Sequence, residues 1–210
     1  CELSNLYATF ANNKIYQKLK YVEDDTLNTD TLRLMSSGAA YMTTEILSKI
    51  TRPDLPDNYA NILRIPHIAW KTGTSYGRRD AWSIGYNKRF TVGVWLGNYN
   101  GNGVAELSGA SVATPLLFDI FNAIDYDNDS TWFSPPADVN FRLVCSETGL
   151  LPGVNCSNQI MDEFLPGITS NAVCTHLKEY IISPDEKICY CTSCMPAAGY
   201  KKKLFFSQDA

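Results

Sequence analysis

Histidine is nearly missing from this 210-residue chain; His67 and His176 are the only two. A hydrolase built on a Ser-His pair would have to use His67 beside a nucleophile elbow, and no such elbow occurs. His67 therefore reads as a strand-end residue. A basic surplus is also missing: 18 Lys and Arg face 22 Asp and Glu, for a net charge of −4. That balance argues against a general nucleic-acid binder, which needs a basic face. The single basic run, Lys201-Lys202-Lys203, reads as a solvated tail. No apolar run is long enough to cross a bilayer, and the opening residues do not form a secretory leader. Cys1 in place of an initiator Met suggests that the chain begins inside a longer protein. Internal repeats and low-complexity tracts are lacking as well.

Hydrophobic residues make up 45% of the chain and charged ones 19%, enough apolar matter for a real core. Residues 2–12 carry Leu3, Leu6, Tyr7 and Phe10 at helical spacing. A second helical pattern runs over 29–50 through Leu32, Met35, Ala39, Met42 and Ile46, with Asp30 as its N-cap and two prolines after it. The character then changes. "HIAWKTGTS", "DAWSIGYN" and "FTVGVWLGN" are short, aromatic and β-branched, and turn residues separate them, so three consecutive antiparallel strands are expected. "ASVATPLLFDIFNAI" follows as a helix whose apolar face is Leu117, Ile120, Phe121 and Ile124, with Pro115 in its first turn. The expected fold class is α+β, an antiparallel sheet flanked by helices. Residues 1–126 form this unit and 127–137 a linker. Residues 138–210 form a small, mostly β module that needs covalent or metal staples.

The chemistry-bearing stretch is Lys71-Thr72-Gly73-Thr74. On a strand, Lys71 and Gly73 share one face and Thr72 and Thr74 the other. Gly73 lets a ligand lie against the backbone, and an edge strand can accept an extended peptide as an added strand. A lysine and two hydroxyls could hold that peptide's carboxylate. A bare KTG triplet also occurs by chance at polar strand ends.

The context is more specific. "AWKTGTSYGRRDAWSIGYN" followed by "FTVGVWLGN" resembles the third-motif hairpin of the class A, or bifunctional, penicillin-binding proteins. "ELSNLYATFANN" resembles the helix before that hairpin and "SGASVATPLL" the helix after it. "VCSETGLLPGVNC" and "CTHL" are similar to cysteine-bearing extensions of the same class. Arg79 and Asp80 fit the pattern, whereas Arg78 stands where an apolar or aromatic residue is expected. The resemblance implies a penicillin-binding/β-lactamase-like transpeptidase fold and a parent enzyme that polymerises and cross-links peptidoglycan. Its serine would attack a D-Ala-D-Ala stem peptide, and an amine would resolve the acyl-enzyme. Lys71 and Thr74 would be catalytic, with the Thr74 N–H an oxyanion donor. Thr72, Gly73 and Thr74 would bind substrate. Stem peptides and β-lactams are the implied ligands, and other cell-wall synthesis proteins are possible partners. No cofactor is implied. The place of work would be extracytoplasmic, at the periplasmic face of the inner membrane, with the anchor and a glycosyltransferase domain upstream.

The rest of the transpeptidase motif set is missing. No serine is followed three places on by lysine, and no S-x-N occurs. The nucleophile is therefore expected outside this chain, which alone should be inactive. Two alternatives remain: a non-catalytic module that binds peptidoglycan or a partner, and a relative of β-lactamases or D,D-carboxypeptidases.

Six of the seven cysteines fall between Cys145 and Cys194. In an oxidising compartment this density reads as disulfides. Cys145 and Cys156 bracket a turn-rich loop, and closing it would contribute about 3 kcal/mol. Pairing among Cys174, Cys189, Cys191 and Cys194 stays open. Disulfides are thus expected and a metal site is not. The alternative is zinc on Cys174, His176, Cys191 and Cys194.

Overall fold

The computed structural model describes residues 1–12, 14–20, 22, 31–50, 66–126 and 132–206. The expected N-cap Asp30 and the two helix-ending prolines lie outside the described residues. The chain divides into two units, Cys1–Pro136 and Ala137–Ala210.

In the first unit the aromatic, β-branched segments form an antiparallel sheet ordered β3-β4-β5. These strands are β3 (Ala69–Thr74), β4 (Asp80–Tyr86) and β5 (Thr91–Gly97). Three further elements belong here: α1 (Glu2–Ala11) and the small hairpin of β1 (Ile15–Gln17) with β2 (Thr31–Arg33). Helix α2 (Ser37–Ser48) follows. It starts later than the periodicity predicts. Ser36 is the N-cap, its hydroxyl accepting from the Ala39 amide at 3.2 Å, and Leu32 sits in β2 instead. A serine that satisfies a free helix amide outcompetes continued apolar spacing as a start signal.

Tyr86 ties both helices to the sheet. It is fully buried, its hydroxyl lies 2.8 Å from the Thr44 hydroxyl of α2, and its ring stacks on Phe10 of α1. Burial pushes its pKa up to about 12, with the Thr44 hydrogen bond opposing.

The other sheet face is covered by a π-helical turn, Gly109–Ala113, that runs into α3 (Thr114–Asp125) with Pro115 in the first turn. The buried stripe of α3 is Leu117, Phe118 and Phe121, packed with Trp70, Ala81 and Val94. Ile124, expected on that stripe, is 43% exposed. Asp125 takes the inward place instead, because Asn87 Nδ2 and Arg89 both donate to its carboxylate at 2.6 Å. A buried carboxylate is tolerated only when such donors surround it.

The second unit pairs β6 (Asn140–Cys145) with β7 (Gln159–Phe164). A second sheet is ordered β10-β8-β9, from β8 (Leu177–Ile182), β9 (Cys189–Tyr190) and β10 (Lys201–Phe206). The lysine run is therefore no solvated tail. Lys201, Lys202 and Lys203 open β10 and pair with Ile182, Ile181 and Tyr180, while their ammonium groups meet Glu186 and Glu179. Among the described residues, no helix is long and apolar enough to cross a membrane.

Candidate functional site

The first unit presents β3 as an edge strand among the described residues: β4 pairs with it on one side only. Its inner end is anchored. Trp70 is buried, packs edge-on against Phe118 with ring centroids 5.1 Å apart, and donates to the Ile50 carbonyl. Its outer end emerges: Lys71, Gly73 and Thr74 are exposed and Thr72 is half-buried. The KTG triplet thus lies where a fixed strand reaches solvent.

The two faces carry different groups. Trp70, Thr72 and Thr74 turn to the α3 side, opposite Gly85, Ser83 and Ala81. Lys71 and Gly73 turn to the α1 side, opposite Ile84 and Trp82. A groove of about 460 Å³ lies on that side, with Trp82, Gly93 and Trp95 as its floor and Ser4 and Ala8 of α1 as a wall. The Lys71 ammonium donates to the Thr72 carbonyl at 2.8 Å, so the charge is held over the strand.

On the α3 side a hydrogen-bonded chain fixes Thr74. The Gly109 amide donates to Thr74 Oγ1 at 3.0 Å. The Gly109 carbonyl accepts from Thr114 Oγ1 at 2.9 Å, and that hydroxyl lies 3.1 Å from Ser83 Oγ. Gly109 fits because it has no side chain: a Cβ there would stand 2.7 Å from the Gly73 carbonyl oxygen and 2.6 Å from that of Trp82. A threonine hydroxyl has one proton and two lone pairs. Having accepted from Gly109, Thr74 Oγ1 keeps its proton available to donate. Sequence reasoning missed Ser83, Gly109 and Thr114. The available signal was the small residue Ser83 opposite Thr72 and a glycine five places before a threonine-proline helix start.

Ser75 and the hairpin tip are structural. Ser75 Oγ accepts from the Asp80 amide at 2.8 Å and the Arg79 amide at 3.2 Å. Gly77 and Arg78 both have positive φ, 73° and 51°. That backbone form, rather than an apolar contact, sets the tip where Arg78 departs from the expected pattern. His67 stacks on Trp132 at 3.6 Å between ring centroids. Burial lowers its pKa, with the nearby Glu45 opposing.

In the second unit the cysteines sort into two groups. Cys189, Cys191 and Cys194 are exposed, and Cys145, Cys156 and Cys174 are buried beside the buried His176. The expected Cys145–Cys156 disulfide is not formed; all seven cysteines are free thiols. The alternative zinc set is not assembled either, since Cys191 and Cys194 occupy an exposed turn closed by Cys191 N–H to Cys194 Sγ at 2.9 Å. Loop length suggests pairs, but a strand end, a turn and the segment before β8 bring three sulfurs to one imidazole.

No protein-family model matches the chain. It is 40% identical over 123 residues to penicillin-binding protein 1C of Escherichia coli, covering 59% of this chain and 15% of that protein. It is 24% identical over 202 residues to penicillin-binding protein 1A of Clostridium perfringens, covering 87% of this chain and 24% of that protein. The chain thus spans less than a quarter of the length of these curated relatives. Its fold is similar to the crystal structure of penicillin-binding protein 1A from Haemophilus influenzae. The TM-score is 0.62 at 15% identity, over 83% of this chain and 33% of that one.

Proposed function

We propose that this chain belongs to the class A penicillin-binding proteins, in their C-terminal region, and forms one wall of a D,D-transpeptidase cleft, on the support of its likeness to penicillin-binding proteins 1C and 1A. The parent protein is a bifunctional peptidoglycan glycosyltransferase/transpeptidase. It works at the periplasmic face of the inner membrane and cross-links D-Ala-D-Ala stem peptides through an acyl-serine intermediate.

The observation that carries this reading is the exposed, edge-positioned KTG strand with Thr74 pinned by Gly109. The stem peptide adds to β3 as an extended strand, and Gly73 leaves room for its backbone. The Thr72 and Thr74 hydroxyls donate to the peptide carboxylate, and the Lys71 ammonium attracts it. The Thr74 N–H, at the end of the strand, supplies one oxyanion donor. The serine and its own lysine come from a part of the protein outside these 210 residues. Residues 138–210 extend the transpeptidase unit as a separate module joined through residues 127–137.

Fluorescent-penicillin labelling of the full-length protein tests this. Lys71→Ala is expected to slow acylation by at least about 100-fold, the scale of losing one oriented electrostatic group. Thr74→Val is expected to weaken labelling while leaving the fold intact by circular dichroism. The 210-residue chain alone is expected to stay unlabelled. Equal labelling of Lys71→Ala and wild type would sink the proposal, as would stoichiometric labelling of the chain alone.

A further inference from the structure

Cys145, Cys156, Cys174 and His176 bring their ligand atoms within 4.8 Å of one another, and all four residues are buried. They come from separate pieces of the second unit. Cys145 ends β6, Cys156 closes the Gly153–Cys156 turn, and Cys174 and His176 precede β8. Two cross-loop hydrogen bonds hold these pieces together: the Leu151 amide donates to the Ala172 carbonyl at 3.0 Å, and the Cys174 amide donates to the Leu151 carbonyl at 2.8 Å. Gly153 permits the approach, because a Cβ there would collide with the Cys174 carbonyl oxygen.

We propose that these four residues form a structural Zn²⁺ site of the Cys3His type. A tetrahedral zinc with Zn–S of about 2.3 Å and Zn–N of about 2.05 Å has S···N edges of about 3.6 Å. His176 Nδ1 lies 3.6 Å from Cys145 Sγ and 3.8 Å from Cys156 Sγ, which match those edges. Cys174 Sγ is nearer, at 2.6 Å, and has to swing outward by about 1 Å to complete the figure.

The donor chemistry suits the ion. Binding converts three thiols to thiolates, releases three protons to solvent, and leaves a site of net charge −1 with neutral His176 donating through Nδ1. Four protein ligands leave no open position, which is the pattern of a structural rather than a catalytic zinc.

Disulfide chemistry fits the same cluster less well. Joining any two of the three sulfurs leaves the third as a buried thiol and gives the buried imidazole no role. The site also answers a need of the module. Its buried cysteines form a core cluster of their own with Leu150 packed against them among the described residues. A domain of about 70 residues usually needs a staple beside its apolar core.

The test is metal analysis of the purified 210-residue chain, together with cobalt substitution and disulfide mapping by mass spectrometry. One zinc per chain is expected. Cobalt is expected to give the visible bands of a tetrahedral ion and thiolate-to-cobalt charge transfer in the near ultraviolet. His176→Ala is expected to lower zinc affinity by more than the roughly 10–100-fold that loss of an outer-shell partner costs. His176→Cys is expected to retain zinc, and Cys191→Ser to retain it fully. Metal-free, folded wild-type chain with a mapped bond between any two of Cys145, Cys156 and Cys174 overturns the proposal. So does zinc that survives His176→Ala but is lost in Cys191→Ser. The mapping and the cobalt spectrum use wild-type protein, so a variant that fails to fold leaves the answer intact.

Discussion

Glu186 shows how single charges are used in the second unit. Lys201 Nζ lies 2.6 Å from one carboxylate oxygen and Lys203 Nζ 2.6 Å from the other. The Lys201 hydrogen bond and then the Lys203 one pull its pKa from the ordinary 4.5 to about 2. A folded-state pKa below the unfolded value means the unfolded chain binds more protons between the two. The contribution to stability is therefore complete above pH 4.5 and disappears as the pH falls toward 2. Lys203→Ala is expected to raise the Glu186 pKa, read by carboxyl-carbon NMR. The stability gap between variant and wild type should close in acid and shrink with salt, since the side chains are about two-fifths exposed. An unmoved Glu186 pKa in the variant would contradict this account.

At the level of elements, the π-helical turn and β3 act as one piece. Gly109 has contacts that any Cβ would break, two of them with backbone oxygens that cannot rotate away. Gly109→Ala is therefore expected to push the turn off the strand and release Thr74 Oγ1. The loss of close packing and one hydrogen bond should cost about 1–3 kcal/mol. Acylation of the full-length protein by penicillin should fall along with it, although Gly109 itself touches no substrate. A thermal melt and a labelling time course on the same preparation check both halves. Gly101 makes the contrast: nothing lies within 4 Å of its would-be Cβ, although its φ of +73° still favours glycine.

Across the whole molecule, the parts legible in the sequence are those decided by neighbours along the chain. β3, β4 and β5 announce themselves through short aromatic and β-branched runs cut at Gly77 and Asn87. Asn87 marks its break physically, its side-chain oxygen accepting from the Arg89 and Phe90 amides at 2.9 Å. The KTG stretch was legible for the same reason. Partners distant in sequence were not. Asp125 takes the inward place expected of Ile124 because Asn87 and Arg89 select it, and Phe118 joins Leu117 and Phe121 in the buried stripe of α3, with Ile120 packed at its margin. The lysines of β10 look solvated until β8 supplies a ladder for their backbone. Cys145 and His176 are 31 residues apart with no knuckle spacing to link them, so only the folded chain reveals that they meet.

The open edge of β3 also has a colloidal side. Among the described residues no strand pairs with this edge, and an unpaired strand edge is a template for any strand, including that of another copy. Lys71 then acts as a gatekeeper, since two copies meeting edge to edge would bring like charges together. Lys71→Ala is expected to make the isolated chain self-associate at lower concentration, seen by sedimentation velocity. An extended peptide that docks on the edge should reverse the effect. The residue that draws substrate in would thus be the same one that keeps the proteins apart.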